Sequence, residues 1–127
     1  MSNPGLKPSI PYWHLYVDED GVSHQRECRL TGYGLRRIGA ADPQWNDELG
    51  TRSSTVVFTV LPVGWVGEWH ENPAPQWIVV LSARWFIESL DCARIERRAG
   101  EFFFGEDQGC IQTDGKKGHH SGIIGRT

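Results

Sequence analysis

The sequence has little of what marks exported, membrane-spanning or redox proteins. It contains three cysteines, Cys28, Cys92 and Cys110, an odd number with neither zinc-knuckle spacing nor a Cys-x-x-Cys redox pair. Such cysteines are typical of reduced thiols in the cytoplasm. The first residues lack an apolar core of signal-peptide length, and no later apolar run approaches the ~20 residues that a membrane helix needs. We therefore expect a cytoplasmic protein that is made without an export signal and has no membrane partner.

The sequence also lacks an excess of charge of one sign. Lys and Arg number 13 and Asp and Glu number 16, which gives a formal net charge of -3. The basic clusters are short and mixed with acids: Arg94, Arg97 and Arg98 surround Glu96, a pattern typical of solvated faces. No nucleic acid partner is expected, because recognition of nucleic acid requires a basic surface. Phosphate-binding glycine loops and the nucleophile elbow of hydrolases are missing as well.

What the chain does contain is a series of short β-branched and aromatic runs separated by turn residues, with no amphipathic segment of helical length. The runs predicted to be strands are 10–17, 22–30, 55–61, 76–82, 84–90, 93–98 and 101–104, with a shorter one at 33–38. This pattern predicts an all-β sandwich or barrel.

The chain length suits a single domain over 1–127. Residues 1–9 hold prolines and a glycine without periodicity and are expected to form a loose arm. The turn-forming sequence Asp-Glu-Asp-Gly after the first strand predicts an N-terminal hairpin over 10–30. For the polar segment 39–54 no regular structure is predicted.

Polar side chains that could carry chemistry concentrate just before the apolar run 77–81. In an extended chain Glu68, His70 and Asn72 share one face, because successive side chains of a strand alternate between faces. Two prolines then interrupt the strand, since proline cannot donate to a sheet ladder. Gln76 is therefore expected to re-enter beside His70.

This spacing resembles the first signature of the cupin superfamily, G-x5-H-x-H followed after three or four residues by E-x6-G. Gly64 and His70 match the opening glycine and the first histidine in register. Asn72 stands at the second histidine position and Gln76 at the glutamate position. Ala83 replaces the closing glycine. Two of the three metal ligands of the family are therefore amides in this chain.

The second cupin signature, G-x5-P-x-G-x2-H-x3-N, is met in outline. Gly100 supplies its first glycine, and the segment Gly-Lys-Lys-Gly-His-His over 115–120 arrives several residues late. His119 is assigned to the histidine position, and His120 stays open as the alternative, because adjacent strand residues face opposite ways. The resemblance covers roughly 55–124. It implies the double-stranded β-helix, or jelly-roll barrel, of small single-domain cupins and the homodimer that is common among them.

The resemblance also implies a metal-dependent enzyme that acts on a small organic molecule inside the barrel. A divalent transition metal (iron, manganese, nickel, zinc or copper) would be held by His70, Gln76 and His119, with Glu68 as a fourth ligand or base. Isomerases, lyases and dioxygenases all occur on this fold, so the fold does not choose the reaction. Because an amide oxygen carries no charge, the site could be weak, could be completed by Glu68, or could be a polar pocket without a metal.

Two alternatives remain open. The first is a metal-independent cupin that binds a small ligand such as a sugar or acyl compound, with Asn72 and Gln76 as polar contacts. Phe86 and Phe104 would then wall an apolar pocket, the usual make-up of a small-molecule site, although they could simply fill the core. The second is a structural or regulatory module whose six tryptophans form an interface.

Overall fold

The computed structural model describes residues 5–37, 39–47 and 55–124. Within these ranges the chain forms strands and no helix. The strands are β1 (Ile10–Val17), β2 (Ser23–Leu30), β3 (Gly34–Arg36), β4 (Gln44–Asn46), β5 (Val66–His70), β6 (Gln76–Val79), β7 (Arg84–Ser89), β8 (Arg94–Arg98), β9 (Phe102–Glu106) and β10 (His119–Ile124). The prediction of an all-β protein is confirmed.

The strands are arranged in two four-stranded sheets and a short hairpin. The first sheet has the order β2-β1-β9-β6 and the second has the order β5-β10-β7-β8, while β3 pairs with β4. β1 runs parallel to β9, whereas the β6–β9, β5–β10, β10–β7 and β7–β8 pairs are antiparallel. Among the described residues neither sheet closes into a barrel.

Contacts along the chain divide it into two compact units. The smaller unit comprises Met1–Pro11 and Cys28–Phe58, and the larger comprises Tyr12–Glu27 and Thr59–Thr127. The smaller unit contains the β3–β4 hairpin, in which Leu35 pairs with Trp45; β4 lies in the segment for which no regular structure was predicted. The core and the candidate site belong to the larger unit. A single domain over 1–127 stays a prediction.

The core of the larger unit lies between the inner faces of the two four-stranded sheets. Leu15 of β1, Phe103 of β9 and Ile87 of β7 are almost completely buried and pack together. Full burial of such a side chain stabilises the fold by about 1.5–3 kcal/mol. Trp13, Ile78 and Trp85 extend this cluster as half-buried neighbours. Along β9 the buried residues alternate with less buried ones, as the period of two requires.

Two apolar runs behave differently from the prediction. The strand predicted over 55–61 is wrong: this segment has no regular structure, and Val56, Phe58 and Val60 are exposed. The run at 77–81 was expected to be a covered central strand, but β6 is an edge strand and Leu81 is exposed. A β-branched composition favours a strand only where a neighbouring strand is present to pair and pack with it.

A histidine near the start of β2 lies between two carboxylates. His24 Nδ1 lies 2.8 Å from Asp91 Oδ2, and its Nε2 lies 2.5 Å from Asp18 Oδ2. We call this group the His24 clamp. Burial lowers the pKa of His24, but the hydrogen bonds to Asp18 and Asp91 outweigh burial, so the pKa lies above its ordinary value. The two carboxylates of the clamp therefore favour the charged form of the His24 imidazole.

One prediction about the charged residues is also wrong. Arg97, expected on a solvated face, is completely buried, while its neighbours Arg94 and Arg98 on β8 are exposed. The alternation of β8 explains this placement, because Arg97 lies opposite Trp85 on the inner face of the second sheet.

Candidate functional site

The centre of the candidate site is a pair of histidines on neighbouring antiparallel strands. β5 ends at His70, β10 begins at His119, and the two residues are partners in the ladder. Their ring centroids are 4.7 Å apart. His119 is buried, whereas His70 is exposed. The pair therefore reaches from the interior of the larger unit to its surface.

An irregularity in the ladder produces this pairing. From His119 to Ser121 on β10 the register advances two residues, but the partners on β5 advance three, from His70 to Gly67. The extra residue makes a β-bulge in β5, a feature that often re-aims side chains beside functional sites. On the opposite face Trp69 stacks on His120, with ring centroids 5.6 Å apart.

A buried carboxylate orients His119. Asp107, the residue after β9, is completely buried, and its Oδ2 lies 2.7 Å from His119 Nδ1. Its Oδ1 accepts two further hydrogen bonds, from the backbone nitrogen and from Nδ2 of Asn72, each 2.9 Å long. Burial raises the pKa of Asp107, but the hydrogen bonds from His119 and Asn72 outweigh it, and the pKa lies below its ordinary value. Asp107 is therefore an ionised acceptor, which places a proton on His119 Nδ1.

The same carboxylate orients the two amides of the candidate site. Because Asn72 Nδ2 donates to Asp107, Asn72 Oδ1 is turned towards Gln76 and accepts a hydrogen bond of 2.6 Å from Gln76 Nε2. This donation uses the amide nitrogen of Gln76, so its carbonyl oxygen is the atom of this amide that could accept from or coordinate a ligand. Gly105, the partner of Gln76 in the ladder, makes room for Asn72, since an added Cβ would lie 2.6 Å from Asn72 Nδ2.

The backbone fixes the other histidine. His70 Nδ1 lies 2.5 Å from the backbone carbonyl oxygen of Glu68. A carbonyl oxygen can only accept, so Nδ1 carries the proton and Nε2 keeps its lone pair. Gly118 permits the close approach of the chain before β10: its φ is +73°, and a Cβ there would collide with the backbone carbonyl of His70.

The structure brings together only part of the residue set that the sequence proposed. His70 and His119 are ladder partners, and Asn72 and Gln76 are linked to His119 through Asp107. Glu68 contributes its backbone carbonyl to His70, while its side chain is exposed.

The structure places the two predicted wall residues on faces away from the histidine pair. Phe86 pairs with Gly122 and contacts His120 and Arg94 on the outer face of the second sheet. Phe104 packs among the aromatic side chains of the outer face of the first sheet, against His14 and Trp77. His120 shares the face of Phe86, so the register selects His119 as the partner of His70.

Sequence reasoning missed Asp107. The signal that could have found it is the alternation at the end of β9, where Phe103, Gly105 and Asp107 share the inner face and are all buried. A carboxylate that continues a buried apolar face must be paired. Its partners lie 12 and 35 residues away along the chain, however, and no local pattern identifies them.

By residue type, the three metal donors predicted from the sequence are neutral and would suit an open site. The set is two imidazoles and one amide oxygen, which suits a borderline divalent ion and leaves positions for substrate or water. Within 5–37, 39–47 and 55–124 no group of three or more His, Cys, Asp and Glu side chains is arranged to hold a metal ion. Asp107 contacts Nδ1 of His119 and is not counted among these metal donors.

Comparisons with protein-family models, with curated proteins and with solved structures found no match. In the described part of the chain no helix has the length and apolar character needed to cross a membrane.

Proposed function

We propose that the protein acts on a small organic molecule at the His70–His119 pair, with a divalent transition metal bound by the two imidazoles and by Gln76. The observation that carries the proposal is the hydrogen bonding of both Nδ1 atoms, to Asp107 in one case and to the Glu68 carbonyl in the other. Metal-binding histidines usually donate their second N–H to a carboxylate or a backbone carbonyl, which fixes the tautomer. Both Nε2 lone pairs are thereby reserved for a ligand.

The residues of the proposed site have different roles. His70 and Gln76 are exposed and would meet the substrate first, while the buried His119 would hold the inner end. When bound, a divalent ion would supply Lewis acidity towards a carbonyl or hydroxyl of the substrate. Asp107 keeps His119 in one tautomer, and Asn72 binds the amide nitrogen of Gln76, which leaves the Gln76 oxygen as the atom that would meet the metal.

Two packed all-β sheets are compatible with the cupin jelly roll, and we propose that fold for the chain. Support comes from the histidine pair, because the positions that resemble the two cupin signatures come together as ladder partners.

We also propose the homodimer implied by that resemblance. Trp77, Val79 and Leu81, on or just after the edge strand β6, are exposed, and exposed apolar side chains on a sheet edge are a surface that a second copy could cover. Sedimentation equilibrium of the purified protein should give twice the mass of the chain.

The test of the metal site is elemental analysis of purified, untagged protein after loading with Zn²⁺ or Co²⁺ and removal of free ion. We expect near-stoichiometric metal in the wild type and in His120→Ala, the matched control on the opposite face. We expect His70→Ala and His119→Ala to lose the metal. Since His70 is exposed, His70→Ala should fold normally, and full occupancy in that variant would sink the proposal.

Metal-free acid–base catalysis is the second candidate, and the Asp107–His119 contact favours it. A carboxylate that holds Nδ1–H leaves Nε2 able to accept a proton from a bound substrate. Ligand binding that persists in chelator-treated protein and is lost in His119→Ala would select this candidate over the metal site.

A further inference from the structure

A buried cation with an orphaned hydrogen-bond donor lies in the core of the larger unit, away from the histidine pair. Arg97 on β8 is completely buried and lies directly opposite Trp85 on β7. Two buried N–H groups of this pair, Nε of Arg97 and Nε1 of Trp85, have no hydrogen-bond partner among the described residues. A buried donor without a hydrogen-bond partner is destabilising. Because the two residues are cross-strand neighbours on one face, a single acceptor could serve both donors.

Among the described residues no carboxylate contacts the Arg97 guanidinium, and Glu101 acts on its charge only through space. Its guanidinium donates to Gln25 Oε1 at 2.8 Å and to the backbone carbonyl of Glu96 at 3.4 Å, both neutral acceptors. Its other neighbours are the rings of Trp13 and Phe103, with centroids 5.0 and 5.6 Å from Cζ. Burial lowers the pKa of Arg97 to about 10, although the negative charge of Glu101 opposes the shift, so the side chain is charged at neutral pH. Buried charges in proteins are normally paired, because an unpaired one is strongly destabilising.

We propose that β7 and β8 hold an internal binding site for a small monovalent anion, either a halide or a carboxylate group, which accepts hydrogen bonds from Arg97 Nε and Trp85 Nε1. An anion satisfies both observations together, since it accepts from two donors and neutralises the guanidinium. A buried water molecule would satisfy the donors but would leave the Arg97 guanidinium without a negative charge in contact with it. The surrounding rings exclude solvent and make the charge pairing stronger than it is in water.

This site is separate from the candidate active site. Trp85 pairs with Ile123 of β10, whereas His119 at the other end of that strand pairs with Ser89. Four residues of extended strand separate His119 from Ile123, about 13 Å. Failure of the metal proposal therefore leaves the anion site untouched, and the reverse also holds.

The experiment is thermal unfolding of the full chain at constant sodium concentration, with gluconate as the bulky reference anion. Chloride and bromide form one arm, and formate and acetate form the other. A ligand that binds only the folded protein raises Tm, and above its Kd the rise continues with the logarithm of the ligand concentration. We expect a rise of about 4 °C in the wild type. Trp85→Phe, which keeps an aromatic ring and removes only the N–H, and Arg97→Met should lose this rise. Arg98→Met, the exposed neighbour, should keep it.

Each outcome is decisive. A rise with halides alone that disappears in Trp85→Phe supports the site and identifies an inorganic ion. A rise with formate and acetate identifies a carboxylate group as the ligand. If the ligand is a halide, crystals grown in bromide should show an anomalous peak within hydrogen-bond distance of both donors. Equal anion dependence in the wild type and Trp85→Phe, or none in either, overturns the proposal. If Arg97→Met does not fold, the Trp85→Phe comparison still decides the question.

Discussion

Replacing Asp107 by Asn tests whether one carboxylate organises the candidate site, because the change removes the charge and keeps the size. The asparagine has one carbonyl oxygen to offer three donors, two from Asn72 and one from His119. Facing the carbonyl to Asn72 keeps two hydrogen bonds, so this orientation is favoured. Its NH₂ group then faces His119 Nδ1, which must become an acceptor. The imidazole proton moves to Nε2, and the lone pair that would bind a metal is lost.

The structure sets the size of the effect. The lost contact is a buried, charge-assisted hydrogen bond, and such bonds contribute about 1.5–3 kcal/mol. We therefore expect the free energy of unfolding of Asp107→Asn to fall by about 2 kcal/mol at pH 7. Loss of such an orienting partner typically costs about 10–100-fold in metal affinity.

The pH dependence follows from the lowered pKa of Asp107. A group whose pKa is lower in the folded state contributes stability above its ordinary value of 3.8, and this contribution disappears as the pH falls through the folded pKa. The stability difference between wild type and Asp107→Asn should therefore shrink when the pH falls below about 4.

Urea unfolding followed by tryptophan fluorescence at pH 7 and pH 3, together with calorimetric Zn²⁺ titration, measures both effects. Glu106→Gln is the matched control, because Glu106 is the exposed neighbour whose carboxylate contacts His14 instead. Asp107→Asn protein that is as stable as the wild type and binds zinc equally well would refute the reasoning.

Two further predictions concern other parts of the larger unit. Because the pKa of His24 is raised in the folded state, the His24 clamp contributes its full stability below pH 6.5 and loses it as the pH rises through the folded pKa. His24→Gln should therefore flatten the decline in the urea midpoint of unfolding between pH 6 and 9. Wild-type and variant midpoints that decline in parallel with pH would contradict this. Gly118→Ala should lower the free energy of unfolding by more than about 2 kcal/mol and weaken zinc binding, since it combines a positive φ with a collision at the His70 carbonyl. Gly115→Ala is the control, because Gly115 has a φ of +75° and open space around it. It should cost only about 1–2 kcal/mol and leave zinc binding unchanged.

The sequence predicted the fold class because alternation is a local property. Aromatic and β-branched runs between turn residues were enough to indicate strands over most of β1, β2 and β6–β9. The segment 55–61 has an equally strand-like composition, yet it is irregular and exposed. Its structure depends on whether a partner strand lies beside it, and that is decided by the rest of the molecule.

The candidate site divides in the same way. The spacing around His70, and the later histidines at 119 and 120, could be read from the chain, but choosing His119 required the register of β10 against β5. Phe86 and Phe104 were proposed as pocket walls from their residue type, and the strand pairing places them on outer faces. Asp107 and the orphaned donor of Arg97 could not be predicted, because both depend on contacts between strands that are distant in sequence.

The hydrogen-bond chain Asp107–Asn72–Gln76 also constrains which sequences can evolve at this site. A glutamate in place of Gln76 would give the site the negative charge that it lacks, but its carboxylate would face Asn72 Oδ1, and two acceptors repel each other. Turning the Asn72 amide to relieve that repulsion would present its oxygen to the Asp107 carboxylate, which repels it as well. Positions 72, 76 and 107 are therefore coupled, and an acidic residue at 76 would require a change at Asn72 or at Asp107 as well.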